Sequence, residues 1–459
     1  MSLSEQLTYK AKNGNEVLDD RVIAEADAFC EPYKAFLDQA KTEREAVDVA
    51  LALALDKGYK PFAPGGKYAA GDKVYVNNRG KSLILSTIGS APLDEGVHIA
   101  AAHIDSPRLD LKPNPLYEAE GLGYCKTHYY GGIRKYQWPT IPLALHGVFA
   151  LKDGTTVKVC IGEDEADPVL YITDLLPHLA SEQSKRPLSK GIKGEELNVL
   201  IGSRPFKEDG ASEQVKLNML RLLHEKFGVT EADFLSAELE IVPAFRARDV
   251  GLDRSMIASY GHDDRVCAYT ALMAELDVET PRHTTVTILA DKEETGSDGN
   301  TGLNSNFLYY FLTDLAEGFG INPRTMMQRS RCLSADVNAA LDPTFPEVHE
   351  KLNAARINHG ACITKYTGGG GKSSTNDASA EMVAYVRRVL DDAQVLWQTG
   401  ELGKVDEGGG GTVAKYISAI GVDTIDIGVP MLAMHAPYEI AAKLDIFMTH
   451  RAFAAFYAD

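Results

Sequence analysis

The sequence predicts an α/β fold interrupted by a mainly β insert. Three observations predict it: apolar strand patterns alternate with amphipathic helices in both outer parts of the chain, a Pro- and Gly-punctuated run of short strands lies between them, and strand after strand ends in His, Asp or Glu. At 459 residues the chain exceeds the usual size of one core, so a large domain with an insert or a second domain is expected from length alone. A hydrophobic content of 44% with 24% charged residues is that of a globular chain, not a disordered one.

The elements follow in order. Apolar spacing of helical period predicts helices over 22–37 and 45–55, and apolar runs bounded by Gly and Pro predict strands over 82–90 and 97–102. The run VHIAAA is apolar on both faces, the mark of a central strand covered by helices on each side. From 106 to 245 Pro and Gly punctuate LKPNPLYEAEGLGY, and β-like runs at 144–151, 155–161 and 169–172 follow without intervening helices. This is the insert; a helix over 213–227 and a strand over 239–242 lead out of it. The α/β rhythm returns with a helix over 265–276, a strand over 284–290, a helix near 303–315 and a strand over 332–335. A helix over 378–390, a strand over 424–427 and a final helix over 440–457 complete the pattern. One α/β domain, 1–105 plus 246–459, is thus expected around an inserted β-rich domain, 106–245.

Composition excludes several function classes. A net charge of -18 without a long Lys/Arg run argues against a nucleic-acid partner. No window reaches membrane-spanning length, and the opening MSLSEQLTYKAKNGNEV lacks the pattern of a secretory leader, so no membrane is expected and a cytoplasmic location is. The six cysteines (Cys30, Cys125, Cys160, Cys267, Cys332, Cys362) are dispersed and form no CxxC pair, so they read as reduced and structural. The segment GGGGKSS resembles a phosphate loop, but that pattern requires Gly where Tyr366 stands, and nucleotide binding is rejected.

The chemistry lies at the strand ends. AAHIDSP places His103 at the carboxyl end of a buried strand, where open α/β sheets collect ligands, with Asp105 two residues on to fix the ring tautomer. GHDDRVCAY sets two carboxylates before a helix, so that one can cap it while the other projects into a cleft. TILADKEETGS ends a strand in Asp291, Glu293 and Glu294, a concentration of negative charge that needs a cation or water to compensate it. One of two adjacent glutamates can bind metal while the other takes a proton from water. LSADVNAALDP and IDIGVPMLAMHAPYE end further apolar runs in Asp336 and His435. Two histidines with several carboxylates and no thiolate suit a pair of zinc-like ions, which a shared carboxylate can bridge at roughly 3.5–4 Å for hydrolysis of an amide.

With AAHIDSP, YGGI, HDDR, EETGS, SAD and LAMH in this order, the chain resembles the aspartyl aminopeptidase family, peptidase family M18, over nearly its whole length. The resemblance implies a mixed-sheet zinc-exopeptidase catalytic domain with an inserted dimerisation domain, and six dimers assembled into a tetrahedral dodecamer that admits peptides. It implies His103 and Asp336 as ligands of one ion, Glu294 and His435 as ligands of the other, Asp263 bridging them in preference to Asp264, Glu293 as general base, and Asp105 behind His103. Two divalent ions, Zn with Co or Mn as alternatives, are implied with them. The reaction expected is removal of an N-terminal residue, Asp or Glu for preference, through a two-metal-activated water.

Departures from the family pattern bear on specificity. Ala339 and Asp342 stand where histidines are common, HGACITK puts Thr364 in line with the family Lys and leaves Lys365 as the cation for an acidic side chain, and LLPHLASEQSK keeps His178 but has Glu182 in place of a second His. His178 and Lys365 are the candidate substrate-binding residues. A two-metal carboxypeptidase or deacylase, or a non-catalytic scaffold of the same fold, are the competing readings; adjacent Glu293 and Glu294 disfavour the scaffold.

Overall fold

The computed structural model describes residues 3–459, so the first two residues of the segment tested for a leader lie outside it. The described chain divides into two compact units, one of residues 3–105, 247–434 and 439–459, the other of 106–246 and 435–438.

The first unit is built on a nine-stranded mixed sheet. At its centre the strands His98–His103, Thr285–Ala290, Arg331–Ala335 and Asp423–Gly428 run parallel, with Thr285–Ala290 also paired antiparallel to Ser82–Thr87. The period-2 alternation divides their side chains between two cores. Ile99, Ala101, Val286 and Ile288 enter one, with Phe311, Leu312 and Ile417 from the covering helices Phe307–Gly318 and Ala414–Ala419. Ala100, Ala102, Leu289 and Leu333 enter the other, against Asp20–Gln39, Glu43–Asp56, His262–Asp277, Ala380–Asp392 and Lys443–Ala458. Burial on both faces is why these strands read as continuous apolar runs. Helix Glu43–Asp56 begins with a capping box, Thr42 Oγ1 accepting from Glu45 N–H and the Glu45 carboxylate from Thr42 N–H.

The second unit is a six-stranded antiparallel sheet in the order Thr156–Ile161, Leu143–Ala150, Ala237–Pro243, Arg108–Ala119, Leu122–Tyr130, Val199–Gly202, and helix Gln214–Phe227 contributes Leu220, Leu223 and Phe227 to its core.

Three local expectations are corrected. Residues 108–130, read as punctuated by Pro and Gly, form one long hairpin whose turn residues Glu120 and Gly121 both have positive φ. Pro113 and Pro115 fall where the ladder slips between Leu111 and Leu116, the bulge that lets a strand carry residues without an N–H. Residues 169–172 make isolated bridges instead of a strand. The predicted helix 440–457 is divided: Glu439–Ala442 pairs with both Met256–Ser259 and Pro430–Leu432, and those ladder bonds delay the helix until Lys443.

All six cysteines are free, and five are buried. The glycine tracts 368–371 and 408–411 lie against each other, and a Cβ on Gly409 would fall 2.5 Å from the Gly368 carbonyl oxygen. GGGGKSS opens no helix, so the structure around it is not that of a phosphate loop.

Beneath the sheet, Glu275 is fully buried and its carboxylate is bonded by four hydroxyls, those of Tyr59, Thr87, Thr285 and Thr287, at 2.8–3.1 Å. Burial raises its pKa while the hydroxyls oppose the shift. Replacing Glu275 by Ala leaves these hydroxyls without their acceptor and opens a void. Urea unfolding of Glu275→Ala is expected to show a loss of about 3 kcal/mol, and a change below about 0.5 kcal/mol would show the network to be unimportant.

Candidate metal centre

Sheet register brings the strand-end residues together. Ala290 lies opposite His103, so Glu293 and Glu294 follow just beyond the same edge; Ser334 lies opposite Ala101, which sets Asp336 level with His103. Asp263 comes from the first turn of His262–Asp277, where it and Asp264 have non-helical dihedrals, so that the regular helix begins at Arg265. His103 Nε2 lies 3.2 Å from Asp263 Oδ1, 3.8 Å from Asp336 Oδ1 and 4.0 Å from Glu293 Oε2. Two sets of potential donors, His103 with Asp263 and Asp336, and His103 with Glu293 and Glu294, each fall within 4.8 Å.

The surrounding bonds fix these groups. The Asp105 carbonyl oxygen lies 3.0 Å from His103 Nδ1 and can only accept, so Nδ1 carries a hydrogen and Nε2 is the ring atom turned toward the carboxylates of Asp263 and Asp336. The Asp105 carboxylate accepts from the N–H groups of Glu293 and Glu294 at 3.1 and 3.2 Å and anchors the Glu293–Thr295 turn. One residue therefore meets the ring through its main-chain oxygen and, at 3.4 Å, its carboxylate, and holds the glutamates through the same carboxylate. Glu439, fully buried, accepts the Asp263 N–H at 3.1 Å. Sequence reasoning missed Glu439 because it took the residues after it for helix; the acidic residue closing MHAPYE was the available signal.

The electrostatics of the cluster follows from its composition. Asp105, Asp263, Asp264, Glu293, Glu294 and Asp336 bring six carboxyl groups around one imidazole. Burial disfavours the charged His103 ring, yet Asp105, Asp263 and Asp336 hold its pKa well above the ordinary value. Burial pushes Glu293 up to about 8, with Asp336, Asp105 and Asp263 adding to the shift against the pull of His103. Asp264 is raised well above its usual range by burial and by the charges of Asp336 and Asp263, and neither of its oxygens caps the helix among the described residues. Buried carboxylates gathered around the Nε2 atom of a histidine are the donor set of a hard or borderline divalent cation, and zinc fits it.

The other predicted residues are placed as follows. Asp291, the remaining acid of DKEE, is tied to the Thr301 hydroxyl at 2.6 Å. His435 lies in the stretch 435–438 that groups with the second unit, and its Nδ1 is 2.8 Å from the Gly132 carbonyl oxygen. His178 is exposed in the turn Pro177–Leu179. Lys365 is exposed and paired with Asp377, which also binds Lys372, while Thr364 is buried and bonded to Asn338. Among the described residues no helix is long and apolar enough to cross a membrane.

The profile of the Aminopeptidase I zinc metalloprotease (M18) family matches residues 36–457. The chain belongs to the M18 family. A probable M18 family aminopeptidase 1 from Clostridium acetobutylicum is 50% identical over 97% of each chain. The crystal structure of aminopeptidase I from C. acetobutylicum matches at a TM-score of 0.93 and 46% identity, covering 99% of this chain and 100% of that one. An M18 aminopeptidase structure from Thermotoga maritima also matches at 0.93, with 43% identity and 98% and 99% coverage. The mixed α/β fold is that of M18 aminopeptidases, and the protein is a metallo-aminopeptidase, a hydrolase of the zinc metalloprotease family.

A cation that quenches the repulsion among these carboxylates binds the folded state selectively, so stability depends on it. Chelator-stripped protein is expected to melt several degrees below the same protein with zinc restored, by differential scanning calorimetry at constant pH. Identical melting temperatures would show that the cluster needs no ion.

Proposed function

We propose that this M18 aminopeptidase removes the N-terminal residue of short peptides, acidic residues for preference, with two divalent ions per subunit. His103 and Asp336 would hold one ion, Glu294 and His435 the other, and Asp263 would be shared. When bound, such ions polarise the scissile carbonyl and acidify the attacking water. Glu293 takes the proton of that water and delivers it to the departing amine. The observation that carries this reading is the placement of the Glu293 carboxyl: it lies 4.0 Å from His103 Nε2, on the rim of the donor cluster, where it can reach a water held among those donors. Asp105 keeps Glu293 and Glu294 in register through their backbone N–H groups.

For an acidic side chain of the substrate, Lys365 is the proposed cation and His178 a further contact near the reacting carbonyl. Asp377, already bonded to Lys365, would have to release it. The second unit is proposed to mediate dimerisation and, as the family resemblance implies, assembly into a dodecamer in the cytoplasm. Exposed Leu175, Leu176, Leu179 and Leu188 give that unit an apolar surface suited to a second copy.

Glu293→Gln is expected to lower kcat by roughly 10²–10⁴-fold while zinc content, read by elemental analysis, stays unchanged. Retained turnover would remove Glu293 from the role of base. N-acetylation of the same peptide should abolish cleavage by the parent enzyme, and cleavage of the blocked peptide would favour a deacylase or carboxypeptidase. Comparison of Asp-, Glu-, Leu- and Lys-initiated peptides gives the preference directly.

A further inference from the structure

The YGGI segment, residues 130–133, has no role in the chemistry above, although it supplies the partner of His435. The Gly132 carbonyl oxygen lies 2.8 Å from His435 Nδ1. A carbonyl oxygen only accepts, so Nδ1–H points at Gly132 and the Nε2 lone pair points away from it. His103 is held in the same tautomer by the carbonyl of Asp105. His435 is thus set by a main-chain oxygen, which no side-chain substitution removes.

Both glycines are required by the backbone around this bond. Gly131 has φ of 71°, in the left-handed region that residues with a Cβ rarely adopt. At Gly132 an added Cβ would lie 3.1 Å from His435 Nδ1 and 3.4 Å from Cε1, so the ring would have to retreat. His435 itself has φ of 64°, as Ala433 before it has φ of 57°, so its backbone has little freedom to follow.

We propose that Gly132 is a positioning residue for the metal centre: its carbonyl fixes the Nε2-ligating tautomer of His435, and its lack of a side chain sets the ring's place. This rests on the reading of His435 as a ligand. Ligating histidines generally donate their other N–H to a fixed acceptor, and loss of such a partner costs 10–100-fold in metal affinity or activity.

The test titrates zinc into the metal-free protein against a chromophoric chelator for the parent, Gly132→Ala, His435→Ala and, as a control in the same unit, Gly194→Ala, whose Cβ would make ordinary contact with Tyr129. The expected result is a 10–100-fold weaker affinity for one ion in Gly132→Ala, loss of that ion in His435→Ala, and no change in Gly194→Ala. Unchanged zinc binding in His435→Ala would refute His435 as a ligand. Loss there with parent-like affinity in Gly132→Ala would overturn the positioning role alone. A second measurement needs no folded variant of Gly132: in the metal-free parent, nitrogen-15 spectra of the histidine side chains should show His435 as the Nδ1–H tautomer, and an Nε2–H tautomer would equally overturn the proposal.

Discussion

The arrangement depends on one electrostatic constraint: carboxyl groups of Asp105, Asp263, Glu293, Glu294 and Asp336 gather around the buried imidazole of His103. Burial first, and then like charges a few ångströms apart, push the carboxyl pKa upward, which is the direction seen at Glu293 and Asp264. Such a cluster without a cation would be costly for a fold. It becomes favourable once a divalent cation takes the place of protons, so the site is best understood as half of an ion-binding equilibrium.

The fold meets the cost of assembling this cluster by dividing the work between rigid main chain and side chains. Parallel strands covered by helices on both faces deliver His103, Glu293, Glu294 and Asp336 to one edge with a register fixed by the ladder. Bonds to main-chain groups then do the fine adjustment: Asp105 to the ring of His103 and to the glutamate turn, Glu439 to the N–H of Asp263. Buried hydrogen-bonded carboxylates such as Glu275 show that the same domain can also neutralise an acid internally, with hydroxyl donors alone.

Much of this was legible in the sequence because period-2 apolar runs mark central strands and their terminal residues can be read directly. The strands carrying His103, Glu293 and Asp336 were expected within a residue or two of where they lie. Local pattern gave less where tertiary pairing decides. The hairpin 108–130 was hidden by Pro113 and Pro115, which a bulge accommodates, and Glu439–Ala442 reads as helix until two neighbouring strands claim it. The same misreading concealed Glu439. The hold of the Asp105 carboxylate on the N–H groups of Glu293 and Glu294 and the meeting of Gly132 with His435 were not legible, because each joins segments far apart in sequence.

Anomalous X-ray scattering at the zinc edge, from crystals of the zinc-loaded protein, tests the central claim most directly. Two peaks are expected per subunit, on either side of the Asp263 carboxylate, one beside His103 and Asp336 and the other beside Glu294 and His435. A single peak, or none within coordinating distance of Asp263, would contradict the account.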